Sequence, residues 1–389
     1  MWLCLVKLAR PRYLQFAVVP AAIGFLSTGN RSGTALALGV VAAFFWFLVT
    51  EYTNMVADRV EDAIDYQERT ALCRRVGYNR LAGLAVSAAI AYVAVITVML
   101  ALGKIRPWLY LVALVCLGLT VNYSVGIRVK TRSVASVMLM GAYQASFLLA
   151  GWLYGHTNGD GSGREAFLCS AFLLAFGVTL VGWKDLPSFE GDARVGYRSL
   201  YWSVFAGRYA VPRARLLLAV PLLGVLACVA SGLLPARYLY LLFLAPFAFA
   251  AATVIARARS LIERRAAREF GTLYLLASMN AVLVVLYPTA VTAAVVAAGS
   301  LSYVLLGSIL HPDPAEGLSS AQGAAVARML APRRKRADRQ LTAWPDSGRA
   351  ANSPVGDERD GSAQSAVIVE HANCAGRIGI RGGDGDAST

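Results

Sequence analysis

The sequence has few charged side chains, few histidines and no closely spaced cysteines. Charged residues make up 15% of the 389 residues, which is too few for a typical soluble globular protein. The chain has three histidines, and its six cysteines are scattered singly without a C-x-x-C motif. These features argue against a zinc site and against a disulfide framework. No Ser-His-Asp or Cys-His arrangement typical of nucleophilic catalysis is evident either.

Apolar residues, in contrast, make up 57% of the chain and give it a mean hydropathy of +0.55. They form ten long runs, at residues 12–28, 34–56, 81–103, 107–125, 133–155, 166–183, 207–234, 237–256, 270–287 and 289–310. Runs of about 20 apolar residues are typical of transmembrane helices. Only Tyr287-Pro288 separates the last two runs, and we expect one helix to end there. The sequence therefore predicts an all-α, polytopic membrane bundle.

Lysines and arginines are concentrated in alternate loops, beginning with the amino-terminal segment. The positive-inside rule assigns these loops to the cytoplasmic side, so both acidic segments described below are expected there. The amino terminus lacks the long apolar region and cleavage site of a signal peptide. We therefore predict a multi-pass protein of the cell membrane. The net charge of +14 is attributed to this asymmetry and not to nucleic-acid binding, because no base-stacking motif accompanies the arginines.

Two regions of different composition divide the chain. Residues 1–310 are predicted to form the membrane domain. Residues 311–389 are rich in Gly, Ala, Ser, Asp and Arg without sustained apolar periodicity, and we expect a disordered cytoplasmic tail. The tail carries a basic run at 331–339, which either contacts anionic membrane lipid or is simply solvated.

A first acidic segment directly follows the second apolar run. Its polar residues are Asn54, Asp58, Glu61, Asp62 and Asp65. Because an α-helix turns about 100° per residue, spacings of four place these side chains close to one helix face. Neighbouring carboxylates repel each other unless a cation neutralises them, and Mg²⁺ typically binds one or two carboxylates together with phosphate oxygens. The alternative is a solvated helix end in which Arg59 and Arg69 balance the charge.

A second charged segment follows the sixth apolar run, where Pro187 and Gly191 indicate a helix end passing into a loop. Its carboxylates are Asp185, Glu190 and Asp192, and its cations are Lys184, Arg194 and Arg198. Such interleaved charges suit a diphosphate held through metal ions and charged donors. Arg128 and Lys130, after the fourth run, either bind the same phosphates or are ordinary positive-inside residues.

Together these motifs resemble the UbiA superfamily of intramembrane prenyltransferases. The shared features are N-x-x-x-D-x-x-x-D closing the second run, Y-S-x-x-x-R-x-K after the fourth, K-D-x-P-x-x-E-G-D closing the sixth, and G-Y-R-S-L after it. The resemblance covers roughly residues 8–287. It implies a bundle of nine helices around a central cavity, Mg²⁺ bridging a polyprenyl diphosphate to both acidic motifs, and an isoprenoid tail in a lipid-facing tunnel.

The resemblance also assigns roles to individual residues. The metal ligands would come from Asn54, Asp58, Asp62, Asp185, Glu190 and Asp192, with Asp58, Asp62 and Asp192 as the catalytic carboxylates. The diphosphate would be bound by Arg69, Arg128, Lys130, Lys184 and Arg198. Three features depart from the family pattern: Ser188 stands where an acid is usual, Thr70-Ala71 follows Arg69 where Pro-Leu or Pro-Ile is common, and a tenth span and a long tail are added.

Three functions are compatible with this reading. The first is transfer of a prenyl group to a small acceptor within the membrane, which we expect to be aromatic. The second is a UbiA-type terpene cyclase, which uses the prenyl diphosphate alone and has the same diphosphate-binding motifs. The third is an ion-coupled transporter that uses the intramembrane acids as a relay. The transporter hypothesis predicts inverted repeats or broken helices near the membrane midplane. The sequence shows no convincing repeat.

Overall fold

A computed structural model describes residues 2–126, 132–156, 163–188, 200, 204, 209–310 and 319–331. Every regular element in these residues is helical. Numbered in chain order, the α-helices are α1 (Trp2–Leu8), α2 (Gln15–Leu26), α3 (Gly33–Ala57), α4 (Arg59–Asp65), α5 (Gln67–Val76), α6 (Tyr78–Ala101), α7 (Pro107–Ser124), α8 (Ser133–His156), α9 (Gly163–Thr179), α10 (Ala210–Ala230), α11 (Ala245–Arg257), α12 (Leu261–Leu286), α13 (Ala290–Ile309) and α14 (Ser320–Leu330). The 3-10 helices are Pro11–Tyr13, Trp183–Asp185 and Ala236–Leu244.

Nine helical segments of the described residues are long and apolar enough to cross a membrane. They are 33–57, 78–101, 107–124, 134–156, 163–185, 210–230, 236–257, 261–286 and 290–307. This confirms the predicted polytopic helical bundle. The break at Tyr287-Pro288 is also confirmed, because α12 ends at Leu286 and α13 begins at Ala290.

Two predicted spans differ from the helices that form. The run at 12–28 becomes a 3-10 turn followed by α2, whose 12 residues extend only about 18 Å. The run at 270–287 becomes α12, which begins nine residues earlier at Leu261. Ser260 and Glu263 form a capping box there, each side chain bonding the other's backbone N–H, and this stabilises a helix start among charged residues.

Glycines allow α8 to approach two neighbouring helices closely. A Cβ at Gly151 would lie within 3 Å of the backbone of Ala21 on α2, and a Cβ at Gly177 on α9 would lie 2.6 Å from the Cα of Gly141 on α8. Lipid tails are as apolar as the helices, so association depends on such close van der Waals packing. Small residues therefore hold α8 between α2 and α9.

The carboxyl-terminal helix α14 packs against α11 and α12. Its Ala325 and Met329 are buried in the same apolar cluster as residues of both helices. Arg257 Nη1 donates to the carbonyl oxygens of Met329, at 2.6 Å, and Ala331, at 3.0 Å. It therefore supplies hydrogen bonds to backbone carbonyl groups at the carboxyl end of α14. Residues 319–331 therefore differ from the disordered tail predicted for 311–389. Residues 332–389 lie outside the described part of the chain.

The α2–α8 contact yields a stability prediction. Gly151→Val should lower the thermal midpoint of the detergent-solubilised protein by several degrees, because overpacking a tight contact costs about 1–3 kcal/mol. The matched control is Gly83→Val on α6, where nothing lies within 4 Å of an added Cβ. Equal midpoints for the two variants would contradict the close packing described above.

A second prediction concerns the docking of α14. A chain ending at residue 318 should unfold at a lower temperature than the full chain, because it exposes the apolar surface that Ala325 and Met329 cover. A chain ending at residue 331 keeps the helix and its contacts with Arg257, and it should match the full chain. If both truncations behave alike, α14 does not stabilise the bundle.

Candidate active site

A cavity of about 380 Å³ lies among α2, α3, α7, α8, α12 and the 3-10 helix Trp183–Asp185. Most of its wall is aromatic or aliphatic, formed by Phe16, Trp46, Phe47, Cys116, Leu119, Leu139, Ala142, Tyr143, Trp183 and Leu275. Its charged or amide-bearing lining residues are Arg10, Glu51, Asn54, Asp58, Gln144, Lys184 and Arg268. An apolar space with a few polar side chains is typical of small-molecule binding sites.

The first acidic segment is not one straight helix. Helix α3 ends at Ala57, α4 begins after Asp58, and the chain bends again at Tyr66 before α5. The backbone N–H of Asp58 still donates to Asn54 O at 2.9 Å, and that of Asp62 to Asp58 O at 2.8 Å. The spacing of four is therefore preserved through hydrogen bonds. The single helix face that the spacing predicted is interrupted, and its five residues have different surroundings.

Asn54 and Asp58 line the cavity, whereas Asp62 is held away from it. Asn54 Oδ1 accepts a hydrogen bond of 3.0 Å from Ser124 Oγ, which ties α3 to α7. Asp62 is buried and forms an ion pair with Arg69, whose guanidinium lies 4.2 Å from the centre of the Tyr66 ring. Arg69 therefore contacts a carboxylate of the first motif and is absent from the lining of this cavity.

The remaining residues of this segment lie outside the cavity wall. Glu61 is buried, and the carbonyl oxygen of Asp65 accepts a hydrogen bond of 3.5 Å from Arg265 Nη2. Beside the Asp62–Arg69 pair, burial raises the pKa of the Cys73 thiol to about 11, partly offset by the charge of Arg69. Cys73 is thus a neutral thiol at ordinary pH and takes no part in the charge balance.

The second charged segment begins with a reversal of the backbone. After α9, Val181 and Gly182 adopt left-handed conformations, with φ of 48° and 74°, and the chain enters the short helix that carries Trp183 and Lys184. Trp183 Nε1 donates to Thr272 Oγ1 at 3.3 Å. The indole also packs over Gly271, where a Cβ would lie 2.5 Å from the ring. This contact fixes the segment against α12.

Lys184, which the resemblance assigned to the diphosphate, lies in the lining of the cavity. Its Nζ lies 2.7 Å from Asp185 Oδ1 and 5.8 Å from the centre of the Tyr123 ring. Asp185 is buried, and Ser188 Oγ donates to its carbonyl oxygen at 3.3 Å. The other predicted residues of this segment and of the loop after α7 lie outside the described residues: Arg128, Lys130, Glu190, Asp192, Arg194 and Arg198.

Two arginines and one carboxylate in the cavity were missed as site residues by the sequence analysis. Arg10, in a left-handed conformation with φ of 49°, lies 3.4 Å from Glu51 Oε2 and stacks 4.5 Å from the Tyr13 ring centre. Arg268 Nη2 lies 3.4 Å from Tyr13 Oη. In the sequence, both arginines belong to the basic segments that the positive-inside rule accounts for. The Ser260-x-x-Glu263 capping box was the available signal, because it places Arg268 well inside α12.

A buried ion pair positions these arginines. Arg12 Nη2 lies 2.5 Å from Glu269 Oε1, and both side chains are 4% exposed. Tyr303 Oη donates to the other oxygen of Glu269 at 3.3 Å. The pair joins the 3-10 helix Pro11–Tyr13 to α12, and Tyr303 extends the contact to α13. Glu269 directly follows Arg268 in the chain. The pair therefore fixes the two segments that deliver Arg10 and Arg268 to the cavity.

The chemistry of the cavity suits an anion bound through a hard metal ion. Three cations, Arg10, Lys184 and Arg268, line the same space as the oxygen donors Asn54 and Asp58. Mg²⁺ prefers such oxygens, keeps several waters, and needs few protein ligands when phosphate supplies the others. Within the described residues no group of three or more His, Cys, Asp or Glu side chains is arranged to hold a metal ion. Asn54 and Asp58 nevertheless fit a magnesium ion shared with phosphate.

Comparisons with known proteins agree with this architecture. A family model described as the UbiA prenyltransferase family matches residues 17–278. A solved structure described as concerning digeranylgeranylglyceryl phosphate synthase has a similar fold, with a TM-score of 0.53 and 16% sequence identity over 74% of this chain and 98% of that chain. The comparison with curated proteins gives no match. The match to the family model extends over most of the membrane-spanning helices, and the chain therefore belongs to the UbiA prenyltransferase family.

Proposed function

We propose that this integral membrane protein transfers a prenyl group from a prenyl diphosphate to a small aromatic acceptor in a Mg²⁺-dependent reaction. Membership of the UbiA prenyltransferase family supports the reaction class. The observation that carries the proposal is the composition of the cavity: Arg10, Lys184 and Arg268 share it with Asn54 and Asp58, and the rest of the wall is mainly apolar.

Cleavage of the allylic C–O bond requires that the charge developing on the leaving diphosphate be stabilised. Preorganised cations in a site with little water achieve this, and the cavity supplies Arg10, Lys184 and Arg268. A bound Mg²⁺ would add further charge stabilisation to the diphosphate. Asn54 and Asp58 are the ligands of the first motif that reach the cavity, and we propose that Asp62 supports them.

The apolar wall suits the prenyl chain and the allylic cation. Aromatic faces stabilise a nearby cation, and Trp46, Phe47, Tyr143 and Trp183 all line the cavity. Exclusion of water lets the acceptor capture the cation before hydrolysis does. These residues therefore act by position, and no nucleophilic side chain is required.

The second motif completes the proposal. We assign Asp185, Glu190 and Asp192 as further metal ligands, and Arg69, Arg128, Lys130 and Arg198 as further groups near the diphosphate. Ser188 replaces the acid usual in the family, and its hydroxyl donates to the carbonyl oxygen of Asp185. We therefore propose that Asp185 or Glu190 takes over the missing ligand. Both motifs are proposed to face the cytoplasm at the cell membrane.

The decisive experiment is an incubation of protein-containing membranes with C10, C15 and C20 prenyl diphosphates and Mg²⁺, with and without a panel of phenols, followed by mass spectrometry. A prenylated phenol is the expected product. A cyclic hydrocarbon or alcohol formed without the phenol would favour the cyclase instead. Absence of Mg²⁺-dependent diphosphate release from every substrate would overturn both functions.

The first prediction for this site concerns Asp58. Asp58→Asn should lower kcat by at least about 100-fold without changing the thermal midpoint, because it removes the proposed carboxylate ligand of the Mg²⁺ that would stabilise the diphosphate. The matched control is Glu68→Gln, which makes the same charge change at an exposed position of α5 and should keep wild-type activity. Near-normal turnover by Asp58→Asn would remove it from the site.

The next prediction separates two roles of Asp62. Asp62→Asn leaves the cation of Arg69 buried, and breaking a buried pair in this way costs about 3–5 kcal/mol. Adding Arg69→Gln should recover most of the lost thermal midpoint. We expect activity to remain low in the double variant because the carboxylate that we propose to support the ligands Asn54 and Asp58 is still missing. Recovery of activity together with stability would show that Asp62 serves only the ion pair.

A further inference from the structure

The side chain of Gln144 has an unexplained polar atom at the cavity wall. Gln144 lies in the middle of α8, lines the cavity and is 5% exposed. Its Oε1 has no hydrogen-bond partner among the described residues. An unsatisfied buried acceptor costs about 1–3 kcal/mol, so its position at a cavity points to a ligand that donates a hydrogen bond.

Neighbouring hydroxyl groups of the cavity are also oriented as acceptors. Thr50 Oγ1 donates its hydrogen to Trp46 O at 3.1 Å, and Ser146 Oγ donates to Tyr143 O at 2.6 Å. A hydroxyl that already donates its only hydrogen can act toward a ligand only as a hydrogen-bond acceptor. Thr50 and Ser146 both line the cavity, so each adds a hydrogen-bond acceptor to its wall.

The carboxylate of Glu51 disfavours a negatively charged ligand group in its part of the cavity. Glu51, next to Thr50, places a carboxylate in the cavity, and Arg10 lies 3.4 Å from it. Lys184 lies 2.7 Å from Asp185. A second carboxylate in this cavity would be repelled by Glu51 and would meet an acceptor instead of a donor at the oxygen of Gln144. A neutral hydroxyl group satisfies the same wall without that cost.

We propose that Gln144 forms an acceptor-binding subsite that selects a neutral phenol without a carboxylate group. The amide oxygen accepts the hydrogen bond of the phenolic O–H, while Trp46 and Phe47 supply an aromatic surface for the ring. This inference rests on the proposed function, because it specifies the acceptor of that reaction. Gln144 determines acceptor specificity and does not contact the diphosphate.

The test measures binding of three probes to the full-length protein in detergent, without turnover. They are 4-methylphenol, its carboxylate counterpart 4-hydroxybenzoate, and 4-methylanisole, which lacks the O–H donor. We expect 4-methylphenol to bind about tenfold more tightly than either of the others. One hydrogen bond of about 0.5–1.5 kcal/mol corresponds to a roughly 2- to 13-fold change in Kd, and the charge penalty adds to it for the benzoate.

Variants of Gln144 connect this preference to one side chain. Gln144→Leu should raise the Kd for 4-methylphenol by about 2- to 13-fold and leave the Kd for 4-methylanisole unchanged. Gln67→Leu makes the same change at an exposed position of α5 and is the matched control. The Kd for the prenyl diphosphate should stay constant throughout, and the thermal midpoint should not fall in Gln144→Leu, because that variant removes an unsatisfied buried acceptor.

Two outcomes would overturn the subsite. One is equal binding of 4-methylphenol by the wild type and by Gln144→Leu, and the other is tighter binding of 4-hydroxybenzoate than of 4-methylphenol. The same experiments distinguish the subsite from the proposed function. If the protein shows no prenyl transfer but still binds the probes in a Gln144-dependent way, the function is rejected and the subsite stands. Prenyl transfer that is insensitive to Gln144 would reject the subsite alone.

Discussion

Charged side chains buried among apolar helices must neutralise one another, and the candidate site depends on this constraint. Arg12 and Glu269 form one such enclosed pair, with both side chains 4% exposed. An isolated charge in such surroundings is very costly, so neither residue is tolerated without the other. Since Arg12 follows the amino-terminal segment and Glu269 lies in α12, their pairing fixes two distant parts of the chain before any ligand binds.

The same constraint explains why the cavity has separate charged and neutral regions. Arg10 with Glu51, and Lys184 with Asp185, are paired within or beside it. Paired cations can still interact with a diphosphate, because a guanidinium or ammonium group has several donors. The aromatic wall contributes no charge and excludes water, and this strengthens the electrostatic interactions of the charged region.

Sequence reasoning succeeded where a local pattern carries the physical cause. Apolar runs of membrane-spanning length identified nine of the spans, and a proline identified the boundary between α12 and α13. It failed where the cause is a contact between distant residues. The role of Arg10 and the docking of α14 each depend on partners far along the chain, which local charge and hydropathy cannot reveal. Of the predicted site, Asn54, Asp58 and Lys184 reach the cavity, whereas Asp62 and Arg69 pair with each other.

The contact between Trp183 and Gly271 has a consequence for how homologous sequences can vary. The indole occupies the space that any side chain at position 271 would need, and the next residue after it is Lys184. A larger residue at 271 would displace the tryptophan and move the lysine with it. Relatives that keep a large aromatic residue at the position of Trp183 should therefore keep glycine at 271, and the two positions should change together during evolution.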